Sequence, residues 1–234
     1  MSFLNAEWRK LAIANYAIDS DVLSSYIPEG TELDLYDDKC YVSLVAFMFV
    51  NTRVLGIKVP FHVNFEEANL RFYVKRFENN EWKRGVVFIK EIVPKSMITF
   101  IANLIYKEHY QTMSMRHRWG EEKGRRIVEY NWGRDKQYGI KVVANKNVSL
   151  GELDPMTSFI TEHYWGYTKY KNKTFSYQVT HPTWKSYQVH DCEVAINFEE
   201  LYGTDFSFLN NQKPDSVILA EGSAITVEKR VRII

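Results

Sequence analysis

The chain has 234 residues, of which 45% are hydrophobic and 25% charged, the proportions of a soluble globular protein with ample material for a core. Its net charge of +1 excludes binding dominated by phosphate neutralisation, which needs a strongly basic face, so nucleic acid is not an expected partner. Two widely separated cysteines, Cys40 and Cys192, form neither a metal spacing nor a disulfide framework and fit a reducing cytosol.

"WRKLAIANYAI" reads as the first strand. "DSDVLSSYI" follows as a short helix, with Asp19 or Ser20 accepting a bond from a free first-turn amide. "TELDLYDDKCYVSLVAFMF" reads strand, turn, strand, turning at Asp37 and Asp38. "FHVNFEEANLRFYV", residues 61–74, is a strand that turns through "ENNEWKRG" into "VVFIKEIV" to make a hairpin. Pro94 opens a helix whose apolar positions Met97, Ile98, Ile101, Leu104 and Ile105 keep helical spacing. "RRIVEYNWGRDKQYGIKVVAN" is a long hairpin turning at "GRDKQ", and "DPMTSFITEHY" a helix capped by Asp154. "FSYQVTHP", "YQVHDCEVAIN" and "SAITVEKRVRI" complete the strands. The tally is a strand-rich, mostly antiparallel α+β fold. So many twisted strands close into a barrel or pack as a sandwich, because exposed edges aggregate. No linker divides residues 1–234, which reads as a single domain. The N-terminus lacks the pattern of a signal peptide, and "YVSLVAFMFV" is too short to span a bilayer, so a cytoplasmic protein without membrane partners is expected.

Residues 61–74 carry two opposed faces. Ala68, Leu70, Phe72 and Val74 form an apolar one, while Glu67, Asn69, Arg71 and Tyr73 form a polar one. In an open sheet the polar face is solvated; in a closed one it lines a cavity. Arg71 is then the anchor, since its planar fork suits a carboxylate or phosphate. A buried guanidinium needs a partner, and Glu67 or Tyr73 on the same face could hold it in place. In "VVFIKEIVPK", strict alternation sets Lys90 with Val86, Phe88 and Ile92, and Glu91 with Val87, Ile89 and Val93. Buried, either charge would have a shifted pKa; at an edge, either would be solvated. Neither a nucleotide-binding glycine motif nor a G-x-S-x-G elbow occurs. The six histidines show no H-E-x-x-H spacing, and no metal or cofactor is expected.

"PEGTELDLYDDKCYVSLVAFMFVNTRVLGIKVPFHVNFEEANLRFYV", "RGVVFIKEIVPKSMITFIANLIYKEHY", "SFITEHYWGY" and "VTHPTW" together resemble the YqjF-like family of bacterial proteins, within the acetoacetate-decarboxylase-like superfamily. The resemblance runs over nearly the whole chain. It implies a closed, cone-like antiparallel barrel with an internal cavity and a few packed helices. It therefore turns the polar face of 61–74 inward and adds Glu162 and His181 as further pocket candidates, with Glu67 and Glu162 the expected partners of an inward Arg71. Decarboxylases of that superfamily use a Schiff-base lysine beside a second lysine. Here no adjacent lysine pair occurs, and Gln111 and Thr112 fall about where it would stand. The nearest amines are Lys90, Lys95 and Lys107. The expectation is a pocket of Glu67, Asn69, Arg71, Tyr73, Glu162 and His181 for a small, acidic organic molecule, without imine chemistry. Two alternatives are a lyase or hydrolase using cavity Glu or His groups, and a non-catalytic partner protein. Homo-oligomerisation stays open.

Overall fold

A computed structural model describes residues 2–149 and 152–234. Long strands come first: β1 (Leu4–Ile18), the short β2 (Glu32–Leu33), β3 (Cys40–Val54), β4 (Phe65–Glu78) and β5 (Glu81–Val93). Helix α1 (Ser96–Ile101) runs on as one π-helical turn, Ala102–Tyr106. Then come β6 (Tyr110–Thr112), β7 (Met115–Glu122), β8 (Arg125–Trp132) and β9 (Tyr138–Asn145), and helix α2 (Pro155–Thr161). The C-terminal third holds β10 (Trp165–Tyr170), β11 (Lys173–Thr180), β12 (Ser186–Tyr187), β13 (Val189–Ala195), helix α3 (Phe198–Tyr202), β14 (Ser216–Val227) and β15 (Val231–Arg232).

Local chemistry explains most boundaries. Asp19 caps the turn at Ser20–Leu23 by accepting from the Asp21 amide, and Asp154 caps α2 by accepting from the Thr157 amide at 2.9 Å. Asp37 and Asp38 both take positive φ, 50° and 57°, as a tight turn between strands requires. The same holds for Asn79 and Asn80, which join β4 to β5. Residues 61–64 lie outside the strand the sequence pattern predicts there, and Phe61 is turned out to solvent. Strands β7 and β10 and the stretch from α3 through the 3-10 helix Thr204–Asn211 are additions to the elements the sequence pattern predicts.

Strands β14, β1, β3, β4, β5, β10 and β11 follow one another, and β11 pairs back onto β14. The ring is partly closed rather than a uniform antiparallel barrel. The β11–β14 junction is two residue pairs long, and β5–β10 is also two pairs long and runs parallel. A second sheet, in the order β13-β9-β8-β7, packs against one side of this ring. There Ala68, Leu70, Phe72 and Val74 of β4 meet Tyr130, Trp132, Ile140 and Val142 in one apolar cluster. The apolar face of the 61–74 pattern thus has the outer layer it predicts. No helix among the described residues is long and apolar enough to cross a membrane.

Phe72 is fully buried between the two sheets. Replacing it with alanine is expected to lower stability by about 3–5 kcal/mol, read as a reduced urea midpoint at unchanged m-value.

Candidate functional site

The inner side of the ring encloses a cavity of about 240 Å³. Its wall is mostly apolar, with Phe47, Phe49, Phe65 and Phe88 among the lining residues. Alternation along β4 sends Glu67, Asn69 and Arg71 into it. All three are almost fully withdrawn from solvent, at 3%, 2% and 7% exposure.

Glu91 reaches the same cavity by a bulge. Leu70 pairs with Lys90 but Arg71 pairs with Phe88, so one extra residue is inserted in β5. The insertion moves Glu91 to the side of Val86 and Phe88, against the strict alternation expected from sequence, and sets it opposite Asn69. Lys90 faces the other way and donates to the Leu201 carbonyl. Tyr110 closes this end. Asn103 clamps its backbone on both sides, accepting from its amide at 2.7 Å and donating to its carbonyl at 3.0 Å. The Tyr110 hydroxyl donates to Glu67 Oε2 at 3.3 Å, and Asn69 Nδ2 donates to Glu67 Oε1 at 3.0 Å.

Burial governs the charges here. It pushes the Glu67 carboxyl up to about 7, against the opposing effects of Asn69, Tyr110 and Arg71. It raises Glu91 well above the ordinary carboxylate range, with Glu108 and Glu67 nearby adding repulsion. Glu108, behind the cavity wall, accepts from the Thr168 hydroxyl at 2.5 Å and is likewise raised by burial to about 7.

Arg71 has no carboxylate within 4.0 Å among the described residues, which corrects the expected pairing with Glu67 or Glu162. Among the described residues its one hydrogen bond runs from Nη2 to the Ile160 carbonyl at the end of α2, at 3.5 Å, and its Nε is unpartnered there. That carbonyl belongs to the last helical turn, where acceptors lack intrahelical donors. The guanidinium also lies 5.7 Å from the Tyr73 ring centroid.

His163 and His181 face the cavity as neutral rings. Burial lowers His163 to about 4, with Arg84 and Arg71 adding to the effect. Its Nε2 bonds Asp34 at 3.1 Å, so the ring donates there and leaves Nδ1 bare and unpartnered. His181 is stacked on Trp184 with 4.1 Å between centroids, and its Nδ1 donates to the Pro182 carbonyl at 3.0 Å. Burial lowers its pKa as well.

Of the residues singled out from sequence, Glu67, Asn69, Arg71 and His181 therefore converge on the cavity. Tyr73 shares their face but does not line it. Its hydroxyl joins a buried chain with Ser43 and Asn15, and its ring packs under Phe159 and His163. Glu162 follows the end of α2 as its C-cap, half-buried, accepting from the Tyr164 and Thr183 hydroxyls away from the cavity. Sequence reasoning missed Glu91's direction, Tyr110 and His163. Only the bulge, the Asn103 clamp and the Asp34 contact, all products of tertiary structure, bring these in. Gln111 and Thr112 are exposed on β6, and no lysine lines the cavity among the described residues. Nor is any group of three His, Cys, Asp or Glu side chains among those residues placed to hold a metal ion.

Residues 5–224 match the family described as "Uncharacterized conserved protein", DUF2071, and the chain belongs to it. "Uncharacterized protein YqjF" of Bacillus subtilis is 26% identical over 196 residues, covering 81% of this chain and 77% of that protein. Among solved structures, acetoacetate decarboxylase from Legionella pneumophila aligns with a TM-score of 0.66 at 13% identity, over 99% of this chain and 87% of its own. The enduracididine biosynthesis enzyme MppR, solved in complex with pyruvate, gives 0.68 at 11% identity over 99% and 91%. An acetoacetate decarboxylase-like enzyme from Sphingomonas wittichii gives 0.65 at 10% identity over 100% and 94%. At these identities the likeness carries the fold: a strand-rich α+β architecture of the acetoacetate-decarboxylase-like type.

The raised Glu67 has a signature in stability. Folded, it holds its proton to about 7; unfolded, it releases it near about 4.3. Between these values the folded state binds more protons, so stability falls as pH rises from about 4.5 to 7 and then levels. Glu67→Gln is expected to flatten that slope by about 1–3 kcal/mol in urea titrations at pH 5 and pH 8.

Proposed function

We propose that this member of the DUF2071 family binds a small organic acid in its internal cavity, with the acid's anionic group on Arg71, and that it does so without Schiff-base decarboxylation. The observation that carries this reading is the buried guanidinium with no ion pair among the described residues. An uncompensated charge out of water is unfavourable by several kcal/mol, and a ligand carboxylate on the planar fork relieves it. The surroundings support the same sign. Burial raises Glu91 and Glu67 and keeps both cavity histidines uncharged, so below about pH 7 an entering anion meets one positive group and little repulsion. MppR, which shares the fold, is described in complex with pyruvate, a compact acid of the proposed kind.

The absence of a cavity lysine among the described residues supports the exclusion of imine chemistry. A Schiff base needs an uncharged amine beside the substrate carbonyl, and Lys90, Lys95 and Lys107 all lie outside the cavity lining. A second reading, a lyase or hydrolase working by proton transfer, is favoured by one feature: Glu67, poised near neutrality within hydrogen-bond reach of Tyr110, has the pKa of an effective general acid or base. In either case we place the protein in the cytoplasm, in keeping with two free thiols.

Arg71→Met tests the anchor. Wild type should gain thermal stability with rising pyruvate or propionate, while the variant should show no shift. Because the guanidinium lacks a counter-ion, the ligand-free variant should be more stable than wild type, by about 1 kcal/mol or more, opposite to the loss expected had Arg71 been paired. Equal shifts in both proteins would remove Arg71 from the site. Borohydride treatment in the presence of acetoacetate is expected to leave the protein mass unchanged; an adduct on any lysine would restore imine chemistry.

A further inference from the structure

We infer that the acid is amphipathic: its carboxylate meets Arg71, and a hydrocarbon or aryl tail fills the apolar part of the cavity and leaves between the β3–β4 loop and α1. The inference rests on the anion-binding reading above and names the class of ligand.

The ionisable carboxyls and the guanidinium of the cavity lie at its buried end. Glu67, Asn69, Arg71 and Glu91 are all under 9% exposed. Met97 and Ile101 of α1 line the same cavity and yet are 52% and 40% exposed. Val59 and His62 of the loop also line it and are half-exposed. A residue that faces both cavity and solvent marks an opening, so the mouth lies between these two segments. The same two segments carry further apolar side chains in water: Leu55, Ile57 and Phe61 on the loop, Phe100, Leu104 and Ile105 on the helix and its π turn. Eight of the 15 exposed large hydrophobic residues described fall in these two short stretches. A patch of this concentration marks a binding surface more than chance exposure. Here two of its members, Met97 and Ile101, also line the cavity that holds the buried Arg71. A short hydrophilic acid would reach Arg71 and leave the apolar wall and mouth wet. An acid with a tail buries both.

Charge at the mouth fits the same ligand. Residues 51–64 and 94–107 contain no Asp or Glu in a chain that has 29, while Arg53, Lys58, Lys95 and Lys107 stand in them. An anionic head approaching this opening is attracted, not repelled. The π turn at Ala102–Tyr106 places Ala102 and Tyr106 in the lining, a local departure from α-helix of the kind found at functional sites.

Calorimetric titration of the full chain at pH 7 with straight-chain carboxylates from acetate to decanoate is the test. Affinity is expected to rise roughly fourfold per methylene, about 0.8 kcal/mol each, until the tail passes the mouth. Ile101→Ser should lower the ratio of octanoate to acetate affinity at least fivefold. Arg71→Met should abolish binding at every length. If acetate binds as tightly as octanoate, the tail is overturned and the anion site stands. Should no carboxylate of any length bind wild type, both readings fall. Light scattering alongside reads the competing use of the rim. A wild-type dimer that Ile101→Ser dissociates, with no dependence on chain length, would make the rim a contact between copies and overturn the inference.

Discussion

A guanidinium held in an apolar cavity without a carboxylate facing it is the constraint around which the rest of the interior is arranged. Desolvation of an ion is unfavourable by several kcal/mol even after the protein relaxes. The chain offsets little of this internally: one long bond to a carbonyl in the last turn of α2 and the face of the Tyr73 ring. The neighbours adjust instead. Burial raises Glu91 and Glu67 and lowers His163 and His181, so that below about pH 7, where Glu67 holds its proton, Arg71 is the dominant fixed charge of the cavity. A carboxylate close enough to pair with it would have stabilised the empty protein and abolished the attraction for a ligand.

What holds Arg71 in this position is a strand buried on both faces. Outward, Leu70, Phe72 and Val74 are locked by the four-stranded sheet. Any slip of β4 by one residue would drive that apolar row into the cavity and the three polar side chains into the inter-sheet core. The second sheet therefore fixes the register of the site without contributing a polar group to it. The bulge in β5 adds one deliberate exception to alternation, and that exception brings Glu91 opposite Asn69.

This division explains what the sequence could reveal. Period-two alternation shows the two faces of β4 directly, and turn residues such as Asp37-Asp38 and Asn79-Asn80 mark the hairpins, so the polar set of Glu67, Asn69 and Arg71 was legible. Tyr73 carries the same alternation signal as its neighbours, but its hydroxyl is used by Ser43 on β3, a cross-strand contact that no local pattern encodes. Glu162 enters as a candidate through the family resemblance in "SFITEHYWGY"; the helix ends at Thr161, and Glu162, its C-cap, accepts from Tyr164 and Thr183 outside the cavity lining. His163, next to it, carries the contact with Asp34, 129 positions away. The stripe Met97, Ile101, Leu104 and Ile105 is visible as a helical period, but periodicity reports amphipathicity and not which side is covered, and in this case the stripe faces solvent.

The resemblance in fold to decarboxylases also sets a chemical boundary. An amine condensed with a substrate carbonyl becomes an iminium, which takes up the electron pair left when a carbon–carbon bond breaks. A carboxyl group or a histidine cannot form that link. It can only give or take a proton, or hold an oxygen by hydrogen bonding. In the proposed reading the cavity of this chain sets Arg71 in a mostly apolar wall with buried carboxyls, Tyr110 and the bare Nδ1 of His163 among its lining groups. With an acid bound at Arg71, groups of these kinds can hydrogen-bond to it or exchange a proton with it. Whether such a complex goes on to react depends on Glu67, since it alone among the lining groups has a pKa pushed to about 7 by burial, where proton transfer in both directions is accessible near neutral pH.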